Sequence, residues 1–339
     1  MPENLQKETN LGAKSDGRGI SISEFTELSD SIKLLTDSIE KVFIGKRKAV
    51  EYFITALLAR GHVLIEDVPG TGKTILAKTL AKLVDGSFQR IQCTPDLLPS
   101  DITGTFIYNQ KCAEFQLRMG PIFGNFILAD EINRATPRTQ SALLECMEEG
   151  QVTIERETFK LPDVFMVIAT QNPIEFHGTY ALPEAQKDRF MMRLSLGYLD
   201  AAVEIDMMNA QQIRHPIEDL TPVLSVERVG EMIEFTKRVH VDDAIKNYIV
   251  RLINRTRRDP SIIIGASPRG SLNLIRASKA LALVRKRDYV IPMDVKELAP
   301  LILSHRMFLK PQAAAQKGGQ DEILSAILMS VDPISGDDK

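Results

Sequence analysis

The chain has 339 residues, 44% of them apolar and 26% charged, and its 42 basic and 45 acidic side chains give a formal net charge of −3. These are globular proportions, so wholesale disorder is excluded, and the charge balance calls for neither nucleic acid nor an anionic membrane as a partner. No apolar run reaches the ~18–20 residues of a membrane span and the N-terminus lacks a signal-peptide core, so a cytoplasmic chain without membrane insertion is expected.

Residues 1–21 carry no aromatic side chain and are rich in Glu, Lys, Asn, Ser and Gly, which predicts a frayed tail. Helical spacing runs from about Glu24 to Lys41 and again from Lys46 to Arg60, where Val50, Phe53, Ile54, Leu57 and Leu58 share a face and Gly61 ends the pattern. A short apolar run, His62–Glu66, then leads through a Gly/Pro loop into a helix from Lys73 to about Val84. Similar runs recur at Phe88–Cys93, Asn125–Asp130, Val164–Thr170 and Met191–Leu196, mostly separated by helical patterns. Short buried strands alternating with helices predict an α/β fold, a parallel sheet with helices on both faces.

Two stretches alternate instead. Thr105–Arg118 and Gln151–Leu161, the second with a charged Glu155-Arg156-Glu157 tip, predict antiparallel hairpins inserted between core elements. Beyond about Asp200 the strand signal fades. Helices are expected near 200–213, 225–239, 242–258, 269–287, 293–305 and 321–331, and residues 332–339 form a second tail. The chain thus divides into an α/β domain over 22–199 and a smaller all-helical domain over 200–331. Cys93, Cys112 and Cys146 have neither disulfide nor zinc spacing and read as small buried hydrophobes. The five histidines show no metal-ligand spacing either.

The chemistry gathers where the first strand meets the first core helix. In Asp67-Val68-Pro69-Gly70-Thr71-Gly72-Lys73-Thr74, successive backbone N–H groups at a helix N-terminus are suited to wrap phosphates. Gly70 and Gly72 permit close backbone approach, Lys73 reaches the β- and γ-phosphates of ATP, and the Thr74 hydroxyl is a ligand for Mg²⁺. The consensus for such a loop begins with Gly, and here Asp67 stands in that place. The apolar strand Phe126–Ala129 ends in Asp130 and Glu131. Asp130 would hold Mg²⁺ through water and Glu131 would polarise the attacking water.

Taken with Leu128–Ala135, Ala169–Pro173 and Leu182–Phe190, the phosphate loop resembles the MoxR family of AAA+ ATPases, over about residues 25–310. The resemblance implies a P-loop NTPase core with a helical lid domain. It makes Asn172 the sensor 1 residue, which helps to orient the attacking water; on spacing alone, Asn172 is simply part of an Asn-Pro turn. It makes Arg189 an arginine finger offered to the neighbouring subunit; the residues alone also allow a pair within the helix with Glu184 or Asp188. Arg269 becomes sensor 2, contacting the nucleotide of its own subunit, against the alternative of a solvated arginine at a helix start. Val42-Phe43-Ile44-Gly45 becomes the segment that packs on adenine, with Ile44 and Gly45 at its end. The family belongs to a clade with a helix-2 insert and a pre-sensor-1 hairpin, matched by Pro95–Arg118 and Gln151–Leu161, which could equally be ordinary surface hairpins.

The implied function is Mg²⁺-dependent ATP hydrolysis in a homo-oligomeric ring, a hexamer by superfamily habit. The ring would be coupled to chaperone-like remodelling or maturation of a protein client, with a von Willebrand factor A domain partner and metal insertion among the implied roles. A nucleic-acid motor is the alternative, resting on Arg255–Arg258 and Arg285–Arg287, although both runs lie near helix ends, where cations favour the dipole, and no nucleic-acid-binding module is visible. A nucleotide-controlled scaffold that barely hydrolyses ATP is a third reading. Intact Glu131, Asn172 and Arg189 weigh against it.

Overall fold

The computed structural model describes residues 21–172, 179–210, 216–314 and 319–333. Two helices come first, α1 (Ile22–Glu40) and α2 (Arg47–Leu58). Next run β1 (Val63–Glu66), α3 (Lys73–Leu83), β2 (Phe88–Gln92), α4 (Pro99–Thr103) and a hairpin of β3 (Gly104–Asn109) and β4 (Glu114–Met119). They are followed by β5 (Phe126–Asp130), α5 (Pro137–Glu149), a hairpin of β6 (Gln151–Ile154) and β7 (Glu157–Lys160), then β8 (Met166–Gln171), α6 (Glu184–Lys187) and β9 (Met192–Leu194). The rest comprises α7 (Ala201–Ala210), α8 (Val226–Thr236), α9 (Asp243–Arg258), β10 (Ile262–Ile264), α10 (Pro268–Val284), α11 (Pro292–Leu303), β11 (Phe308–Leu309), α12 (Pro311–Ala314) and α13 (Gly319–Ser330). Of the expected tails, residues 1–20 and 334–339 lie outside the described residues, as do 211–213 of the helix expected over 200–213.

Five strands form one parallel sheet in the order β2-β5-β8-β1-β9. Successive residues of each inner strand feed opposite cores. Val63 and Ile65, Phe126 and Leu128, and Met166 and Ile168 face α1–α3, while Leu64, Ile127, Ala129, Val167 and Ala169 face α5 and the hairpins. Burial on both faces explains why these strands read as continuous apolar runs. His62, just ahead of β1, pins the layers together. Its Nε2 donates to the Met147 carbonyl at the end of α5, at 3.1 Å, and its Nδ1 accepts from the Val167 amide at 3.0 Å. Complete burial holds its pKa down to about 4, so the ring is neutral.

Helix starts follow sequence chemistry. Thr136, Ser225 and Asp242 accept backbone N–H groups at the starts of α5, α8 and α9, and Pro137, Pro268 and Pro292 open α5, α10 and α11. One expectation needs correction. The C-terminal part is not all helical: β10 and β11 pair as an antiparallel ribbon, too short for a period-two pattern to register. The apolar core also runs on past residue 200. Leu35, Phe53, Leu128, Met232, Leu281 and Leu298 belong to one continuous apolar core, because α1 and α2 pack against α8 and α10 as well as the sheet. Arg285 on the C-terminal side reinforces that joint, meeting both Glu297 oxygens at 2.7 and 2.9 Å and Glu51 of α2 at 3.5 Å. Among the described residues, no helix is long and apolar enough to cross a membrane.

Candidate functional site

The phosphate loop joins the C-terminal end of β1 to α3. Gly70 and Gly72 hold φ values of 84° and 89°, a region that suits glycine. A Cβ at Gly72 would also press on the Phe43 ring. The Lys73 ammonium donates to the carbonyls of Asp67 at 2.8 Å and Val68 at 3.2 Å. Burial lowers the Lys73 pKa, an effect opposed by Asp67, Asp130 and Glu131.

Asp67, the departure from the loop consensus, has a structural task. It is 7% exposed, and its carboxylate accepts the amides of Val68 at 2.9 Å and of Leu196 and Gly197 at 2.7 Å each. Glycine could not tie the loop to the chain leaving β9. Asp67→Ala would leave three amides without that acceptor. At about 1.5–3 kcal/mol per hydrogen bond to a charged group, it should destabilise the protein by several kcal/mol, visible as a lowered urea midpoint. An unchanged midpoint would mean that other groups hold the loop.

Beside the loop lies a cleft of about 310 Å³, lined by Val42, Phe43 and Ile44 on one side, Gly70–Gly72 on the floor and Tyr198, Leu199 and Met207 opposite. The segment expected to pack on adenine is therefore at the loop. Gly45 turns with φ of 79°, and a Cβ there would overlap Val203 of α7. Lys46 also lines the cleft and donates to the Gly197 carbonyl. Nothing in its local sequence had singled it out.

Asp130 and Glu131 stand at the end of β5, whose neighbour β8 pairs with β1. One hydroxyl organises both acids: Thr170 Oγ1 donates to Asp130 Oδ1 at 2.6 Å and accepts the Glu131 amide at 2.8 Å. Glu131 itself adopts left-handed backbone, φ 55°, an unusual conformation for a non-glycine residue. Each acid also has an arginine. Arg90 lies 2.6 Å from Asp130, and Arg134 lies 3.0 Å from Glu131, which Gln92 reaches at 3.3 Å. Arg90 and Gln92 were not anticipated. Their alternation around buried Ile91 was visible, but not that β2 would pair with β5. Asn172 follows β8 directly and is 6% exposed, while Pro173 of the expected Asn-Pro turn lies outside the described residues.

The two remaining arginines are elsewhere. Helix α5 runs back along the sheet from Pro137, and its end meets His62 at the opposite end of β1 from the phosphate loop. There Glu148 receives Arg189 at 2.9 Å and also Arg269, while Arg189 donates to the Leu144 carbonyl at 2.8 Å. Arg189 thus pairs with α5, not with Glu184 or Asp188, and Arg269 reaches Asp188 at 3.5 Å rather than standing in solvent. Arg269 is also not at its own subunit's loop. The four residues of β1, at ~3.3 Å each, separate the two ends.

Other details bear on the alternatives. Arg285, Lys286 and Arg287 are engaged by Glu297, Asp30 and Asp294, so that basic run serves internal contacts, while in the other run Arg257 meets the Ala266 carbonyl and Arg255 and Arg258 are exposed. Cys93 and Cys146 are buried, with thiols pushed up to about 12 and about 11, but Cys112 is exposed beside the β3–β4 turn, contrary to expectation. Its segment is a surface hairpin and offers no core to enter.

Comparison with known proteins agrees with this arrangement. Residues 62–192 match the ATPase family associated with various cellular activities (AAA), and residues 254–327 match the AAA lid domain. The chain is 51% identical over 295 residues to the uncharacterized protein YeaC of Bacillus subtilis, covering 87% of this chain and 92% of the relative. It is 42% identical over 302 residues to Chaperone MoxR1 of Mycobacterium tuberculosis, covering 86% and 80%. A solved structure from Cytophaga hutchinsonii, provisionally named an ATPase, matches with a TM-score of 0.86 and 42% identity, over 91% of this chain and 97% of that one.

Proposed function

The chain belongs to the MoxR family of AAA ATPases, and on that premise we propose that it hydrolyses ATP within a homo-oligomeric ring and spends the energy on remodelling a protein client. The observation that carries this reading is the placement of Arg189 and Arg269 together at the end of the strands away from their own phosphate loop. From there both arginines act on the nucleotide of a neighbouring subunit, so a subunit alone is incomplete. A closed ring supplies every site with a neighbour, and six subunits is the number we propose.

Each group then has a task. Adenine lies in the cleft against Ile44 and the turn at Gly45. The amides of Val68–Lys73 and the Lys73 ammonium bind the phosphates. Thr74 and Asp130 provide hard oxygen donors suited to Mg²⁺, which otherwise takes phosphate and water ligands; bound there, the ion neutralises phosphate charge. Glu131 accepts a hydrogen bond from the attacking water, Asn172 fixes that water's orientation, and the neighbour's guanidinium offsets charge growing on the γ-phosphate. A client with a von Willebrand factor A domain, matured by metal insertion, is the partner class this reading favours. The relative named Chaperone MoxR1 supports the client role.

Glu131→Gln tests the whole reading. It should bind ATP, lose turnover and accumulate with ATP as a particle near six times the 37.9 kDa chain, measured by light scattering. Affinity capture on that trapped ring should recover the client. Near-normal hydrolysis would remove Glu131 from the chemistry, and a monomer with ATP bound would remove the ring.

A further inference from the structure

The segment that carries Arg189 is clamped from the C-terminal part of its own subunit by a buried guanidinium. Arg306, in the turn after α11, has only 1% of its side chain exposed. All five of its N–H donors are used. Nε donates to Asp188 Oδ1 at 2.7 Å. Nη2 donates to the carbonyls of Asp188 at 2.9 Å and Phe190 at 2.6 Å. Nη1 donates to the Met191 carbonyl at 3.2 Å and to that of Ile302. Four of the five acceptors thus belong to the residues on either side of Arg189, and the fifth ties the same guanidinium to α11. His305 adds a contact of 3.2 Å to the Phe190 carbonyl.

A packing role alone would not require this arrangement. Burying a guanidinium is costly, and an apolar side chain of similar volume would usually hold two elements together as well. What the planar fork provides is a fixed geometry for several backbone carbonyls at once, which an ammonium cannot match. Asp188 extends the linkage, since its other oxygen meets Arg269 at 3.5 Å.

We infer that Arg306 is a positioning residue for catalysis in the neighbouring subunit: it fixes the backbone that aims Arg189, and so couples the helical part of one subunit to ATP hydrolysis in the next. The inference rests on the reading of Arg189 as a residue acting in trans. Arg306 touches no nucleotide; it acts through the turn it clamps.

Arg306→Lys keeps a charge but loses the fork. It should bind ATP with an affinity within about twofold of wild type, because its own loop is untouched, while turnover falls about 10²-fold, the scale of a misaimed group. A merely structural defect could also lower turnover, so the deciding measurement is a mixture with Glu131→Gln subunits, which lack the base but retain a well-aimed Arg189. Activity should reappear, to the level reached when Arg189→Ala is mixed with Glu131→Gln. If the Arg189→Ala mixture recovers and the Arg306→Lys mixture does not, or if Arg306→Lys alone turns over within threefold of wild type, the inference is wrong. If the Arg189→Ala mixture also stays silent despite subunit exchange, the trans reading itself has failed. Should Arg306→Lys lose its cooperative thermal transition, Asp188→Asn, which weakens the same clamp and leaves Arg306 its backbone acceptors, is subjected to the same mixing and the same criteria.

Discussion

Arg189→Ala is expected to bind ATP nearly as the wild type does and yet hydrolyse it 10³–10⁵-fold more slowly, a loss of about 4–7 kcal/mol of transition-state stabilisation. Binding survives because the phosphate loop, Lys73 and the cleft beside Ile44 all lie at the other end of the strands. The rate falls because no other guanidinium is proposed to take this place on the γ-phosphate; Arg269 shares Glu148 with Arg189 but reaches its site from a different element. Mixing decides the geometry. Glu131→Gln subunits have a sound finger and no base, Arg189→Ala subunits the reverse, and some interfaces in a mixed ring pair an intact base with an intact finger. Partial activity should return in the mixture alone. Full activity in Arg189→Ala by itself would reduce this arginine to a partner of Glu148.

Lys73→Ala should act at the earlier step and abolish measurable nucleotide binding at micromolar concentrations. The ammonium is already directed into the loop by the Asp67 and Val68 carbonyls, so little reorganisation separates it from the phosphates. Two charge-assisted hydrogen bonds at about 1.5–3 kcal/mol each correspond to roughly 10²–10⁴-fold in Kd. Calorimetric titration with a non-hydrolysable ATP analogue measures this directly. A Kd within tenfold of wild type would displace Lys73 from the phosphate site.

Much of this architecture was legible before any coordinates. The three inner strands β1, β5 and β8 are apolar on both faces, so each stood out as an unbroken run, and β3–β4 and β6–β7 stood out because one face of each hairpin is wet. The ribbon of β10 and β11 was lost because three residues paired with two cannot express an alternation. The phosphate loop and the acids at the end of β5 were readable because their chemistry is local in sequence. What was not readable depends on distant chain: Glu148 as the common partner of Arg189 and Arg269, Arg90 beside Asp130, and the amides of Leu196 and Gly197 on Asp67. The last pair explains why a carboxylate can replace a glycine in the loop, and no inspection of the loop alone would have supplied that reason. The pairing of Arg269 with Glu148 and Asp188 was hidden for a similar cause, since it depended on which end of the strands the start of α10 would meet.

The three cysteines divide in a way that gives the molecule a ready spectroscopic handle. Cys93 and Cys146 are buried and their thiols resist ionisation, so at neutral pH a maleimide dye should find only Cys112, on the β3–β4 hairpin. The unaltered chain can therefore carry a single fluorophore on the insert, about which Tyr108 and Phe115 form an exposed aromatic pair. Emission shifts or depolarisation of that dye would follow the hairpin's surroundings through a nucleotide cycle without any engineered residue.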